Sequence, residues 1–253
     1  MNTNTVWIST APRTGSMWLY NVTREIYKFL KFDVYPKEIP QGDLDVAGVY
    51  DKYAISDNNK INKYVLKIHK ILPANIKKSK ILTTIRDPRD VCLSFKEFMK
   101  TDFDTALNAT KTMIKYSDTY KNFDSNYVKF IKYEDIENKT NEVILNIAKF
   151  VDANIDLNIA KIISEKFKKD NVKNLIKKND NDLDFKIKNK KEISKSEIVY
   201  FSKTNYRSYD IKTGFQTGHV SERISGEWKN KLNINEIETI NKEFKNFIIE
   251  NNY

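Results

Sequence analysis

Short runs of apolar and β-branched residues alternate along this chain with longer segments whose apolar positions return every three or four residues. Val6–Thr10, Tyr64–His69, Lys80–Ile85 and Tyr127–Tyr133 read as strands. Trp18–Leu30, Val91–Met99, Thr105–Asn122, Asp135–Val151, Leu157–Lys168 and Ile234–Ile249 read as helices. In Asp135–Val151 the apolar stripe is Val143, Ile144, Ile147, Ala148 and Val151. The alternation of strand, loop and helix predicts an α/β fold, a central, mainly parallel sheet flanked by helices. Sheets of this kind bind ligands beyond the carboxyl ends of their strands. Arg13, His69 and Arg86 each fall just after a candidate strand, so three cationic or titratable groups are expected at one rim.

Two stretches resist this reading. Pro36, Pro40, Gly42 and Gly48 mark an irregular connection after the first helix. Asn171–Gly218 is polar, rich in Lys, Asn and Asp, and nearly without periodicity. It reads as a solvated surface insertion, with a mobile loop over the site as the other reading. No internal repeat or linker interrupts the chain, and residues 1–253 are expected to form one domain.

Composition narrows the setting. Hydrophobic residues make up 40% of the 253 positions and charged residues 31%, as in globular proteins. No window approaches the ~20 apolar residues that cross a bilayer. No basic region followed by an apolar run opens the sequence. Cys92 is the only cysteine, which precludes an internal disulfide. A reducing, cytoplasmic location is the expectation. The net charge of +10 suits a polyanionic ligand, but the lysines are scattered rather than interleaved with aromatics. A few placed cations, not a nucleic-acid or membrane surface, are therefore expected to matter.

Four segments carry chemistry. The first is Thr10-Ala11-Pro12-Arg13-Thr14-Gly15-Ser16-Met17-Trp18, a strand-to-helix loop whose unpaired backbone N–H groups suit a phosphate. It is not a Walker A loop, because Ala11 takes the first Gly position and the cation precedes Gly15. The second is Lys67-Ile68-His69, where strand alternation puts a cation and a candidate general base on one face. The third runs from Arg86 through Asp87, Pro88, Arg89 and Asp90 to Ser94, a helix start with an Arg before it and a Ser one turn inside. Both ends of that segment can reach one tetrahedral anion, the Arg by forked contacts. An ion pair of Arg86 or Arg89 with a neighbouring Asp, pinning the turn, is the competing reading. The fourth is Gly226-Glu227-Trp228-Lys229, preceded by His219 and Ser221-Glu222-Arg223.

In this order the four segments resemble a cytosolic-type sulfotransferase over Val6 to about Glu238. The resemblance implies a P-loop NTPase-like sulfotransferase fold. It implies 3′-phosphoadenosine 5′-phosphosulfate (PAPS) as donor, 3′-phosphoadenosine 5′-phosphate (PAP) as product, and no required metal. Arg13, Thr14, Gly15, Ser16 and Met17 match the family's 5′-phosphosulfate loop, with Trp18 against adenine. Lys67 and His69 match its catalytic K-x-H, His69 as general base. Arg86 and Ser94 match the 3′-phosphate motif with its eight-residue spacing. Tyr133-Glu134-Asp135 matches a Y-E-D that follows a strand, Tyr133 lying along the adenine edge. Phe201 is the best candidate, by order, for the aromatic that flanks adenine.

Two departures stand out. The loop cation is Arg13 where the best-known members have Lys. The late R-K-G positions hold Ser221-Glu222-Arg223, so Arg223 is expected to supply the missing cation from a shifted position, with Glu222 unfavourable near phosphate. Lys229, Asn233, Ile234 and Glu238 resemble the family's dimer segment, and a homodimer is the expectation. A small organic acceptor is expected, its pocket drawn from residues 35–62, 95–103 and the late polar stretch; Tyr50, Tyr53, Phe95, Phe98 and Phe103 are candidate lining residues or core. The alternatives are a P-loop-type nucleotide or small-molecule kinase, which lacks its Walker Lys here, and a non-catalytic polyanion-binding module.

Overall fold

The computed structural model describes residues 4–73, 76, 79–201 and 205–253. In chain order the elements are β1 (Thr5–Ser9), α1 (Ser16–Phe29), β2 (Asp33–Tyr35), α2 (Asp43–Val49) with a π-helical turn (Tyr50–Ala54), and β3 (Asn62–Ile68). There follow β4 (Ser79–Ile85), α3 (Pro88–Met99), α4 (Phe103–Tyr120), β5 (Val128–Lys132), α5 (Tyr133–Asn138), α6 (Thr140–Phe150) and α7 (Leu157–Lys166). The remainder is α8 (Lys169–Lys188), β6 (Ile198–Tyr200), β7 (Tyr206–Ser208), α9 (Trp228–Lys231), α10 (Ile234–Glu243) and α11 (Lys245–Glu250).

The main sheet has the order β2-β3-β1-β4-β5, and every neighbouring pair is parallel. Its three central strands are largely buried on both faces, as a parallel sheet covered by helices requires. Alternation divides β1 between two cores. Val6 and Ile8 join Leu19, Val22 and Ile26 of α1 and Ile144 and Ile147 of α6. Trp7 faces the other way, with Val91 and Leu93 of α3, Met113 and Tyr116 of α4 and Ile240 of α10. Because β1 lies between β3 and β4, the loops that leave these three strands meet at one rim. The loop carrying Arg13, then His69 and then Arg86 stand there, as the sequence pattern predicts.

Four expectations are corrected. Asp135–Val151 is two helices, divided at Lys139 with φ −133°. The Thr140 hydroxyl donates to the Ile136 carbonyl at 2.7 Å, competing with the backbone there. Ile234–Ile249 bends at buried Phe244 into α10 and α11. The connection around Pro40 contains α2 as well as loop. Asn171–Gly218 is not an unstructured insertion: it holds most of the 20-residue α8 and the antiparallel pair β6–β7. Residues 202–204 of that stretch lie outside the described residues.

The buried apolar positions of α8, Val172, Ile176 and Leu183, are few, so its periodicity is faint. Polar contacts anchor the segment instead. Lys169 donates to the Arg223 carbonyl, Lys173 pairs with Glu222, and Lys186 pairs with Glu197. Asp180 accepts from Ser208 and Thr217 at 2.6 and 2.5 Å. Helix α8 thereby fixes a strap, residues 197–201 and 205–223, over the rim. Among the described residues no helix is long and apolar enough to cross a membrane, and no group of His, Cys, Asp and Glu has the geometry to hold a metal ion.

Candidate active site

The loop after β1 turns back through two left-handed residues, Arg13 at φ 68° and Gly15 at φ 93°. Such a backbone is costly for Arg, so something must hold it. Arg86 does so, donating from Nη1 to the Arg13 carbonyl at 3.1 Å. Gly15 is required twice over. It takes the positive φ, and a Cβ there would stand 2.9 Å from Tyr133 Cδ2. The Thr14 hydroxyl donates to the Ala11 carbonyl at 2.8 Å and lies 2.5 Å from the Thr84 hydroxyl, tying the loop to β4. No side chain caps the start of α1, and no acidic residue occupies its first turn. The N–H groups of Ser16, Met17 and Trp18 have no backbone acceptor among the described residues. An anion fits this helix start by both hydrogen bonding and dipole.

Two arginines converge on Ser94, which α3 presents at 1% exposure, and a third, Arg86, holds the backbone of one of them. Arg13 Nε and Arg223 Nη2 both donate to the Ser94 hydroxyl, each at 3.1 Å. Arg86 is braced by Tyr133, its guanidinium carbon 3.9 Å from the ring centroid. Its Nε is buried with no partner. A buried guanidinium nitrogen without an acceptor is a cost that an oxyanion would remove. Arg13 is pressed down from the usual arginine range by burial and by Arg223 and Arg86, and stays charged near neutrality. Arg89 does the pinning that the competing reading allowed: it pairs with Asp87 at 2.8 Å through both Nε and Nη2, and stacks on Trp228. Glu222 turns away to Lys173 and Arg223 turns in, so the inverted order of charges in Ser221-Glu222-Arg223 still places a cation at Ser94.

Lys67 and His69 share a face, as strand alternation requires. His69 Nδ1 lies 2.8 Å from the Thr10 carbonyl, which can only accept, so Nδ1 carries the proton. Nε2 is therefore the basic nitrogen. Lys67 Nζ lies 3.0 Å from it and donates to it. Burial and the Lys67 charge pull the His69 pKa down to about 3. Burial lowers Lys67 to about 8, with Asp43 working the other way. Asp43, at the start of α2, accepts the His69 backbone N–H on both carboxylate oxygens, at 3.1 and 3.2 Å. It was not visible as a site residue from the sequence, because nothing local marks an aspartate 26 residues before the histidine it holds.

The other predicted residues divide. Trp18 and Tyr133 pack against the cluster that also contains Phe167. Phe201 is 45% exposed and meets Arg207, 4.6 Å from its ring centroid. Phe98 receives the guanidinium groups of Arg13 and Arg207, both at 4.0 Å, and the stacked ring of His219. Tyr50, Phe95 and Phe103 belong to the core beneath α3 and α4, whereas Tyr53 is exposed. His219 is engaged by its own loop through Gln216, at 3.3 Å to Nδ1 and 2.9 Å to Nε2. Arg207 gave no signal in the sequence, lying in the aperiodic stretch.

Known proteins bear on this arrangement in three ways. In overall structure the chain is similar to mouse sulfotransferase SULT7A1 complexed with PAP, at TM-score 0.62 and 14% identity, over 98% of this chain and 84% of that one. It is similar also to retinol dehydratase in complex with androsterone and inactive cofactor PAP, at TM-score 0.58 and 14% identity, over 98% and 81% of the two chains. No curated protein matches by sequence. The family model described as the sulfotransferase domain matches residues 3–212, which span β1 to the strap. With a parallel sheet, an uncapped loop before α1 and an arginine cluster beside it, the chain belongs to the sulfotransferase domain family.

Proposed function

We propose that this protein transfers a sulfuryl group from PAPS to a hydroxyl or amine of a small organic acceptor, with His69 as general base. The observation that carries this is the pair Arg13 and Arg223 on the buried Ser94 hydroxyl, with Arg86 on the Arg13 carbonyl, next to the uncapped start of α1. Two anionic groups of one nucleotide fit such a site. The 5′ end lies on the N–H groups of Ser16 to Trp18 and on Arg13. The 3′-phosphate takes the free Nε of Arg86 together with Ser94 and Arg223. The aromatic pair Trp18 and Tyr133 is left for the base.

Transfer is in line. The acceptor oxygen or nitrogen bonds to sulfur as the bond from sulfur to the 5′-phosphate oxygen breaks, and PAP leaves with that electron pair. The acceptor proton goes to His69 Nε2, which must come within roughly 3 Å of the acceptor atom. In the structure Lys67 holds that lone pair. Donor charge draws the Lys67 ammonium to the sulfuryl oxygens, which frees Nε2 and lifts the Coulombic penalty on its basicity. Arg13 stabilises charge gathering on the leaving oxygen, a contribution typically worth a few kcal/mol per preorganised donor. A thermal-shift comparison tests the reading against the kinase alternative. PAP should stabilise the protein well above ATP–Mg²⁺; the reverse order would overturn it. Labelled PAPS with a panel of phenols, alcohols and amines then reads transfer directly.

The pH profile follows from the two shifts. His69, held down at about 3, stays unprotonated through the neutral range. Lys67, lowered to about 8, loses its charge as pH rises through that value. The expected kcat/KM for donor is flat from about pH 5 to 7 and falls above about 8. Lys67→Met should lower the rate and remove the alkaline limb. A limb that survives in that variant assigns it to another group.

A further inference from the structure

Six arginines occur in this chain. Arg24 is satisfied by the Pro36 carbonyl and the Tyr20 hydroxyl, and Arg89 by Asp87. Arg13, Arg86 and Arg223 are accounted for by the donor. Arg207 remains. Its Nη2 donates to the Phe98 carbonyl at 3.1 Å, and its Nη1 is buried without a partner. No carboxylate among the described residues stands within ion-pair distance of it. Burial lowers its pKa with no acid opposing the shift. Two rings, Phe98 at 4.0 Å and Phe201 at 4.6 Å, shield the guanidinium and fix its plane. A partly desolvated cation with an open donor and no counterion is costly unless an anion arrives.

Its place decides which anion. The 3′-phosphate end of the crevice is Arg86, Ser94 and Arg223. Arg207 lies over the Phe98 ring on which His219 stacks, and His219, lowered in proton affinity first by burial, also feels the charges of Arg13, Lys67 and Arg207. Arg207 thus lies on the flank where Lys67 and His69 meet the acceptor. The strap that carries it is held by Asp180, which takes Ser208 next to Arg207 and Thr217 near His219.

We infer that Arg207, walled by Phe98 and Phe201, is a subsite for a carboxylate on the acceptor, so the natural acceptor carries an acidic group besides its nucleophile. This rests on the crevice being a sulfuryl-transfer site with PAP as product. Arg207 holds the carboxylate in a charge-assisted contact through Nη1, and the acceptor's hydroxyl or amine is then directed toward His69. Neutral analogues lose that contact while keeping the apolar ones.

The test uses PAP-loaded full-length protein and two probes, 4-hydroxyphenylacetate and its methyl ester, titrated by calorimetry. The acid should bind at least ~10-fold more tightly than the ester, the effect of one hydrogen bond to a buried charge. Arg207→Ala should bring the two within ~2-fold, and Arg207→Lys, which keeps charge but not the fork, should fall between. PAP affinity should stay within ~3-fold in both variants, which also reports that they fold. Equal binding of acid and ester to the unaltered protein, or binding of neither, overturns the subsite. A ~10-fold or greater loss of PAP affinity in Arg207→Lys overturns it too, by assigning Arg207 to the donor. Failure of PAP to bind the unaltered protein sinks the sulfotransferase reading itself, a distinct result.

Discussion

Replacing His69 with alanine is expected to lower sulfuryl transfer by ~10²- to 10⁴-fold, the usual contribution of a positioned general base, while PAP affinity changes little. The separation follows from geometry. His69 touches Thr10 and Lys67, and none of the arginines that surround Ser94 bonds to it. On the proposed reading its removal takes away the group that receives the nucleophile's proton, and leaves the loop before α1 and Arg86 as they were. It also frees the Lys67 ammonium from Nε2, so the donor should bind as well or slightly better. Rapid-quench turnover with labelled PAPS, alongside PAP calorimetry, reads both quantities. Near-normal turnover would remove His69 from the mechanism. Loss of PAP binding in step with turnover would show that the ring supports the loop through Thr10 rather than moving a proton.

Arg86→Ala is expected to weaken PAP by ~100-fold and adenosine 5′-phosphate by less than ~5-fold. A charge-assisted contact at a buried guanidinium accounts for a loss of that order, because the phosphate is left facing Arg223 and Ser94 alone. On the proposed reading only the nucleotide with a 3′-phosphate meets the unpartnered Nε. The 5′-only compound serves as control for a second role of this residue. Arg86 Nη1 also holds the Arg13 carbonyl, and Arg13 sits in a left-handed conformation it would not choose freely. If Arg86 acts chiefly by bracing that turn, both nucleotides lose affinity equally, and the 3′-phosphate assignment fails. Arg86→Lys should recover part of the PAP affinity through charge, but not the fork or the stacking on Tyr133.

Two of the four misread stretches failed for different reasons. Helix α8 is built on charged and amide contacts, with few apolar positions, so a method based on hydrophobic period finds little there. The break at Lys139 is a single non-helical backbone torsion, which the apolar stripe across it does not reveal. The strap mattered most: it brings the expected Arg223 to Ser94, and it brings Arg207 to Phe98 from a region that reads as polar surface.

The amino-acid order alone determined the parallel sheet, the phosphate loop, the Lys67–His69 pair and the Arg86–Ser94 spacing. Each of these is local: a run of buried strand, a left-handed Gly before a helix, an alternation of two residues, two turns of helix. Tertiary structure alone decided which cations face the crevice, which tautomer His69 adopts, and that Asp43 holds it. Those outcomes depend on partners brought from distant segments, Thr10 to His69, Asp43 to His69, Arg223 to Ser94. A side chain's charge is written in the sequence; its neighbours, and so its proton affinity and its use, are set by the packing.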